Sequence, residues 1–253
     1  IIKLAVMAVG GQGGGVLTNW IVDLAEANGY AVQATSVAGV AQRTGTTIYY
    51  IEMLPDTGRQ PVFALSPVEA DVDIVIAAEW MEAGRAIMRG FVSPDRTVLI
   101  ASSHRALAEV EKAVPGNGIA DDTEVHLAAT KSARRVIAFD MDSIAVNAGT
   151  MISASLFGAI AGADVLPFAV DEFRKTVRRG GRGFEASLAA FEVAFERAQS
   201  ESDASLYPDD ALAECLRPNL IGPEKLLTEW RVLVARLADL PDAVRPIAEA
   251  GLI

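Results

Sequence analysis

The first 28 residues limit the fold of this chain more than any other stretch. An apolar run, Ile1 to Val9, leads into the turn Ala8-Val9-Gly10-Gly11-Gln12-Gly13-Gly14-Gly15, and a helix-compatible run, Val16 to Asn28, follows. Strand, glycine turn and helix in that order are how α/β proteins bring backbone N–H groups and a helix N-terminus up to a phosphate. Five glycines fall in six positions, with Gln12 alone among them. Side chains are missing where a bulky anion would approach, so the turn predicts a ligand without naming it.

The rest of the chain continues the alternation. Strands are predicted at Lys3 to Val9, Ala31 to Val37, Thr46 to Leu54, Asp73 to Ala78, Thr97 to Ala101 and Arg135 to Phe139. Helices are predicted at Val16 to Asn28 with Gly29 as a stop, Glu79 to Arg89, Arg105 to Val114, Val125 to Ala133, Thr150 to Ala161, Val170 to Arg178 and Phe184 to Gln199. Ser66-Pro67-Val68-Glu69 has the form of a capping box with Pro at the first helical position, which predicts one more helix start. Short apolar strands alternating with helices give an α/β, Rossmann-like fold, a mostly parallel sheet covered on both faces. Residues 1–200 form that domain. Glu201 to Asp210 is polar and carries Pro208, so it reads as a linker. Ala211 to Ile253 has the amphipathic spacing of a short C-terminal helical extension.

Bulk properties exclude several classes of function. A net charge of −11 argues against a nucleic-acid surface. One cysteine, Cys215, and two histidines, His104 and His126, leave no ligand set for a cluster or a zinc site within this sequence. The cysteine usage predicts a reducing, cytoplasmic setting. The opening IIKLAVMAVG is too short to span a bilayer, and no membrane segment is expected. The first residue is Ile and the chain stops after Gly251-Leu252-Ile253, so both ends read as cut.

From Ala8 the turn reads as a dinucleotide fingerprint with alanine in its first place, Gly10 allowing phosphate approach and Gly13 close helix–strand packing. Nicotinamide cofactors, however, need an acidic residue at the end of the second strand to hold the ribose hydroxyls. Ala31-Val32-Gln33-Ala34-Thr35-Ser36-Val37 offers none. Tight strand–helix packing alone would also account for the glycines.

Four segments, in order, carry a family resemblance. They are Gly10-Gly11-Gln12-Gly13-Gly14, Ser36 to Gly45 (S-V-A-G-V-A-Q-R-T-G), Asn147 to Ala159, and Arg178-Arg179-Gly180-Gly181-Arg182-Gly183-Phe184-Glu185-Ala186-Ser187. Over about residues 3 to 198 the chain resembles the gamma domain of 2-oxoacid:ferredoxin oxidoreductases, most of all the small (beta) subunit of the indolepyruvate enzymes. Ala8 and Thr44 depart from the family's glycines. The resemblance implies oxidative decarboxylation of a 2-oxo acid by a complex containing thiamine diphosphate, Mg and 4Fe-4S clusters. This chain lacks a cysteine array and a thiamine motif, so those cofactors are expected on a larger partner subunit, which would also serve ferredoxin or another electron acceptor. The resemblance implies that Gly10, Gly11, Gln12, Gly13, Gly14, Ser36, Gln42 and Arg43 complete the active site, with coenzyme A as the candidate ligand. It assigns no catalytic and no metal-binding residue here. A free-standing NAD(P)-dependent oxidoreductase and a nucleotide-binding assembly module are the alternatives.

Other residues invite simpler readings. Arg43 beside Gln42 has the planar fork that suits a carboxylate or phosphate, or is a surface arginine. Arg178, Arg179 and Arg182 suit a phosphate patch, or a helix C-terminal dipole. Ser102-Ser103-His104 lacks a nucleophile elbow, which favours capping over catalysis. Asp121-Asp122 and the Asp140/Asp142 pair read as loop solvation and helix capping.

Overall fold

The computed structural model describes residues 1–37, 46–106, 123–181 and 183–201, with 225, 228, 232, 235 and 236. The chain divides into two units, 1–206 and 207–253. In the second, the five described residues are helical.

The first unit is built on six strands: β1 (Ile2–Ala8), β2 (Tyr30–Val37), β3 (Thr47–Pro55), β4 (Ile74–Ala77), β5 (Val98–Ser102) and β6 (Arg135–Phe139). They lie in the order β2-β3-β1-β4-β5-β6. β1, β4, β5 and β6 pair in parallel, while β3 runs antiparallel between β1 and β2. All but β3 therefore point the same way, and the sheet is mostly parallel. The reversal has a local cause. Only 38–46 separate β2 from β3, too few for the crossover a parallel pair needs.

Seven helices complete the described part: α1 (Gly14–Ala27), α2 (Trp80–Met88), α3 (Thr123–Ser132), α4 (Met141–Ala148), α5 (Ile152–Gly162), α6 (Val170–Arg179) and α7 (Phe184–Glu201). Period-two alternation sorts the strands between them. Leu4, Val6, Ile51, Ile74 and Ile76 face a core shared with α1 and α4 to α7. Ala5, Met7, Val75 and Ala77 face a second core under α2 and α3. From Leu4 to Ala8 β1 is buried on both sides, which is why that stretch is an unbroken apolar run.

α1 buries Leu17, Ile21, Leu24 and Ala25 at helical spacing, each large side chain contributing about 1.5–3 kcal/mol. It ends at Asn28, and Gly29 turns away at φ 74°. α5 is buried along nearly its whole length, with Ser153 and Ser155 its only polar side chains. Its Gly158 and Gly162 let the backbone of α7 approach so closely that a Cβ would meet the carbonyls of Phe191 and Phe195 at 2.2 and 2.4 Å. Phe157 joins Trp20 of α1, Phe173 of α6 and Phe191 of α7, with ring centroids 5.5, 4.9 and 6.0 Å away.

One expected helix does not form. Residues 66–69 are irregular despite the capping box. The Thr35 hydroxyl and the Gln33 amide hold the carbonyls of Leu65 (2.8 Å) and Ala64 (3.0 Å), and the Ala64 N–H donates to Glu52 at 2.8 Å. These bonds lay the segment out along β2 and β3, and Ala70 at φ 55° ends any turn at once. The helix expected from Arg105 to Val114 lies mostly outside the described residues, while Arg105 and Ala106 are not helical.

Candidate functional site

The glycine turn closes on itself. The Gln12 N–H donates to the Val9 carbonyl at 3.1 Å, and the Gln12 Oε1 accepts the Val9 N–H at 2.8 Å. This explains the lone Gln among glycines, since its side chain ends the first strand. With Oε1 so engaged, Nε2 is left over; it is buried and has no partner among the described residues. An unmet buried donor costs about 1–3 kcal/mol until an acceptor arrives.

The glycines serve three different needs. Gly11 at φ 93° and Gly13 at φ 69° adopt the left-handed conformation that side chains resist. Gly14 is the packing glycine, where a Cβ would stand 2.7 Å from the Tyr49 ring and 2.9 Å from the Ala8 Cβ. Gly10 and Gly11 have nothing among the described residues within 4 Å of an added Cβ. The fingerprint reading, which gave the packing role to Gly13, is corrected by one residue. Gly13 instead borders Ser153 of α5, 3.2 Å from its would-be Cβ.

Two helix N-termini meet there. Gly13 caps α1 and Met151 caps α5, neither with a side-chain hydrogen bond and neither helix with an acid in its first turn. Each leaves unpaired N–H groups and the positive end of its dipole uncompensated. Adjacent positive ends favour an anion between or before them.

Beside the turn, a cleft of about 200 Å³ runs between α1 and the sheet, with Gly15, Asn19, Thr35, Ser36 and Tyr49 on its walls. Ser36 thus sits near the first turn, as expected from the sequence. The cleft is neutral, and smaller than the roughly 300–1,000 Å³ typical of whole-ligand sites. Gln42 and Arg43 lie outside the described residues. The ends of their loop are placed, however: Val37 pairs with Ile48, and Thr47 pairs with Ala8. Both flank the end of β1 where the glycine turn begins.

The later motifs gather on the same edge of the sheet. Gly149, at φ 73°, ends α4, and the hydroxyls of Thr150 and Ser187 meet at 2.8 Å, tying α5's approach to the start of α7. Arg178 and Arg179 are exposed at the end of α6, where a Cβ on Gly180 would lie 3.9 Å from the Trp20 ring of α1. Arg182 and the pair Asp121-Asp122 lie outside the described residues.

The sequence did not single out Tyr49, Ser153, or a buried acidic cluster on the other face. Glu79 caps α2 through the Met81 N–H at 3.0 Å and also takes the Ala106 N–H at 3.4 Å. Burial pushes its carboxyl above the ordinary range, with those two N–H groups pulling the other way. Glu82, fully buried, binds the Thr46 hydroxyl and the Arg85 guanidinium. The available signal was two glutamates where a buried strand turns into a helix. Ser102 and His104 are in contact at 2.7 Å, and the Ser102 Oγ accepts the Met141 N–H at 3.0 Å. Ser102 therefore ties β5 to α4. Burial lowers the His104 pKa against the pull of Asp142 and Asp140, so the ring is neutral near pH 7. Asp140 caps α4 by accepting the Ser143 N–H at 2.8 Å, as its sequence position suggested. Among the described residues, no three His, Cys, Asp or Glu side chains gather to hold a metal, and no helix is long and apolar enough to cross a membrane.

The sequence pattern of the pyruvate ferredoxin/flavodoxin oxidoreductase family matches residues 3–197. The chain belongs to that family. By family it is a subunit of a 2-oxoacid:ferredoxin oxidoreductase. It is 23% identical over 205 residues to the indolepyruvate oxidoreductase subunit IorB of Thermococcus kodakarensis, covering 78% of this chain and 96% of that one. The same subunit of Pyrococcus horikoshii is 23% identical over 214 residues, with the same coverage. The fold is similar to that of the pyruvate oxidoreductase subunit PORC of Thermotoga maritima (TM-score 0.55, 16% identity, 77% of this chain and 95% of that one). It is also similar to a chain of the 2-oxoglutarate:ferredoxin oxidoreductase of Magnetococcus marinus, solved with 2-oxoglutarate, coenzyme A and succinyl-CoA (TM-score 0.55, 12% identity). There the similarity covers 81% of this chain and 32% of that one.

Proposed function

We propose that this chain is the non-cofactor-carrying subunit of an arylpyruvate-type, indolepyruvate-like ferredoxin oxidoreductase, and that its glycine turn completes an active site on a larger partner. The observation that supports this best is the turn itself. Among the described residues, Gly10 and Gly11 are open in front of two helix N-termini without side-chain caps, and the buried Gln12 Nε2 has no acceptor. The turn suits an anionic group arriving from outside. With β2 ending in Thr35-Ser36-Val37, no carboxylate is present to hold a ribose, which disfavours the nicotinamide alternative.

The donor set suits the phosphates of coenzyme A, with Gly10, Gly11 and Gly13 offering N–H groups and Ser36 a hydroxyl; in this reading Gln42 and Arg43 join them from their loop. Coenzyme A, when bound, supplies the thiol that accepts the acyl group. The role of this chain is to bind, orient and shield. Thiamine diphosphate, Mg and the 4Fe-4S clusters belong to the partner in this reading, which also passes electrons to ferredoxin or another acceptor. Residues 1–200 are the gamma domain, residues 201–253 a linker and helical extension, and the assembly is cytoplasmic.

Anaerobic co-expression with the partner tests this. The isolated chain is expected to be colourless and inactive, and the co-purified complex to carry iron and thiamine and to decarboxylate a 2-oxo acid. A chain that remains monomeric and binds NAD(P)H at micromolar concentration overturns the proposal.

A further inference from the structure

β4, β5 and β6 run parallel to β1, so their first residues lie at the edge of the sheet opposite the glycine turn. A groove of about 420 Å³ opens there, with Asp73, Arg96, Arg134, Arg135 and Asp164 in its wall. That volume lies within the range of small-molecule sites, about 300–1,000 Å³.

The charges in the wall are unequally committed. Arg96 is spent on the protein, since its Nε donates to Asp73 at 2.6 Å and it also pairs with Asp71. Arg135 gives one Nη hydrogen to the Ala163 carbonyl, while its Nε is buried without an acceptor among the described residues. Arg134 and Asp164 are exposed at the groove, and among the described residues no hydrogen bond or ion pair engages either side chain. An unmatched cation and an unmatched anion thus share one cavity without meeting. A guanidinium fork suits a carboxylate, and an oxygen entering beside Arg135 would relieve its unmet donor. A simple anion would meet the free Asp164 carboxylate, whereas a molecule carrying both charges satisfies every group.

We propose that this groove binds a small zwitterion with the chemistry of an α-amino acid, its carboxylate at Arg134 and Arg135 and its ammonium at Asp164. The site is independent of the glycine turn, from which it is separated by the length of the strands.

Calorimetric titration of the purified full chain with the α-amino acids tests this, with acetate, ethylammonium and inorganic phosphate as partial probes. At least one amino acid should saturate with a Kd below about 1 mM, and each partial probe should bind roughly tenfold more weakly or not at all. Arg134→Ala and Asp164→Asn should each weaken the amino acid about tenfold and leave the unliganded Tm unchanged. Asparagine suits position 164, where φ is 53°. Absence of saturation by any amino acid in the millimolar range overturns the proposal. Phosphate binding that Asp164→Asn strengthens also overturns it, because the groove would then be a plain oxyanion site.

Discussion

The glycine turn predicts a separation between residues that serve a ligand and residues that serve the fold, and two substitutions four positions apart test it. At Gly10 an added Cβ meets nothing within 4 Å among the described residues, and the backbone is not left-handed. Gly10→Val should therefore leave the unfolding temperature within about 2 °C of the parent. At Gly14 a Cβ meets the Tyr49 ring at 2.7 Å and the Ala8 Cβ at 2.9 Å. The Tyr49 ring can tilt, but Ala8 is fixed on the central strand. Overpacking of this kind costs about 2–3 kcal/mol, offset by under 1 kcal/mol from the better helix propensity of alanine. The net loss for Gly14→Ala is about 1–2 kcal/mol, or roughly 2–8 °C in Tm for a chain of this size. Circular-dichroism melts measure the fold, and 2-oxo acid turnover of the complex measures the site. Gly10→Val should abolish turnover at unchanged Tm, whereas Gly14→Ala should lower Tm and retain turnover below its melting range. A Gly10→Val chain that melts as early as Gly14→Ala, or a complex that keeps full activity with valine there, would refute the reasoning.

Three further outcomes follow from the packing and the charges. Gly158→Ala should destabilise by about 3 kcal/mol in urea unfolding, since its Cβ would lie 2.2 Å from the Phe191 carbonyl oxygen and helix propensity returns only about 1 kcal/mol; a stabilised variant would disprove the close approach of α5 and α7. The Glu79 carboxyl is raised by burial above its ordinary 4.5, so the folded state holds the extra proton, and stability should fall as pH rises from 4.5 through the folded pKa. Glu79→Gln should flatten that slope, and an identical slope in the variant counts against the assignment. Arg174 grips Glu192 through Nε and Nη2 at 2.7 and 2.8 Å, which lowers the Glu192 pKa. Because the pair is partly exposed, its coupling in a double-mutant cycle should be about 0.5–1 kcal/mol, present at neutral pH and lost as acid protonates Glu192; coupling that persists in acid would contradict the ion pair.

Strand and helix positions were legible where the period was local. Arg135 to Phe139 matches β6 end to end, and the predicted helix starting at Val170 is α6 within one residue. The capping box at Ser66 failed because Gln33, Thr35 and Glu52, distant in sequence, claim the backbone around it. The glycines of the first turn were readable as a group, but their separate duties were not. Only φ angles and the neighbours Tyr49, Ala8 and Ser153 distinguish them.

By itself the sequence determined the α/β class, the apolar core strands, the glycine turn between strand and helix and the family resemblance, because these are written in composition, short-range period and contiguous motifs. Tertiary structure alone decided that β3, already reversed by the short loop before it, lies between β2 and β1. It also brought α5's uncapped N-terminus against Gly13 and set an unmatched Arg134 and Asp164 around one groove at the far edge. Each of these is a meeting of residues many positions apart. Such contacts form only when whole strands and helices bury their apolar faces together, which no local pattern encodes.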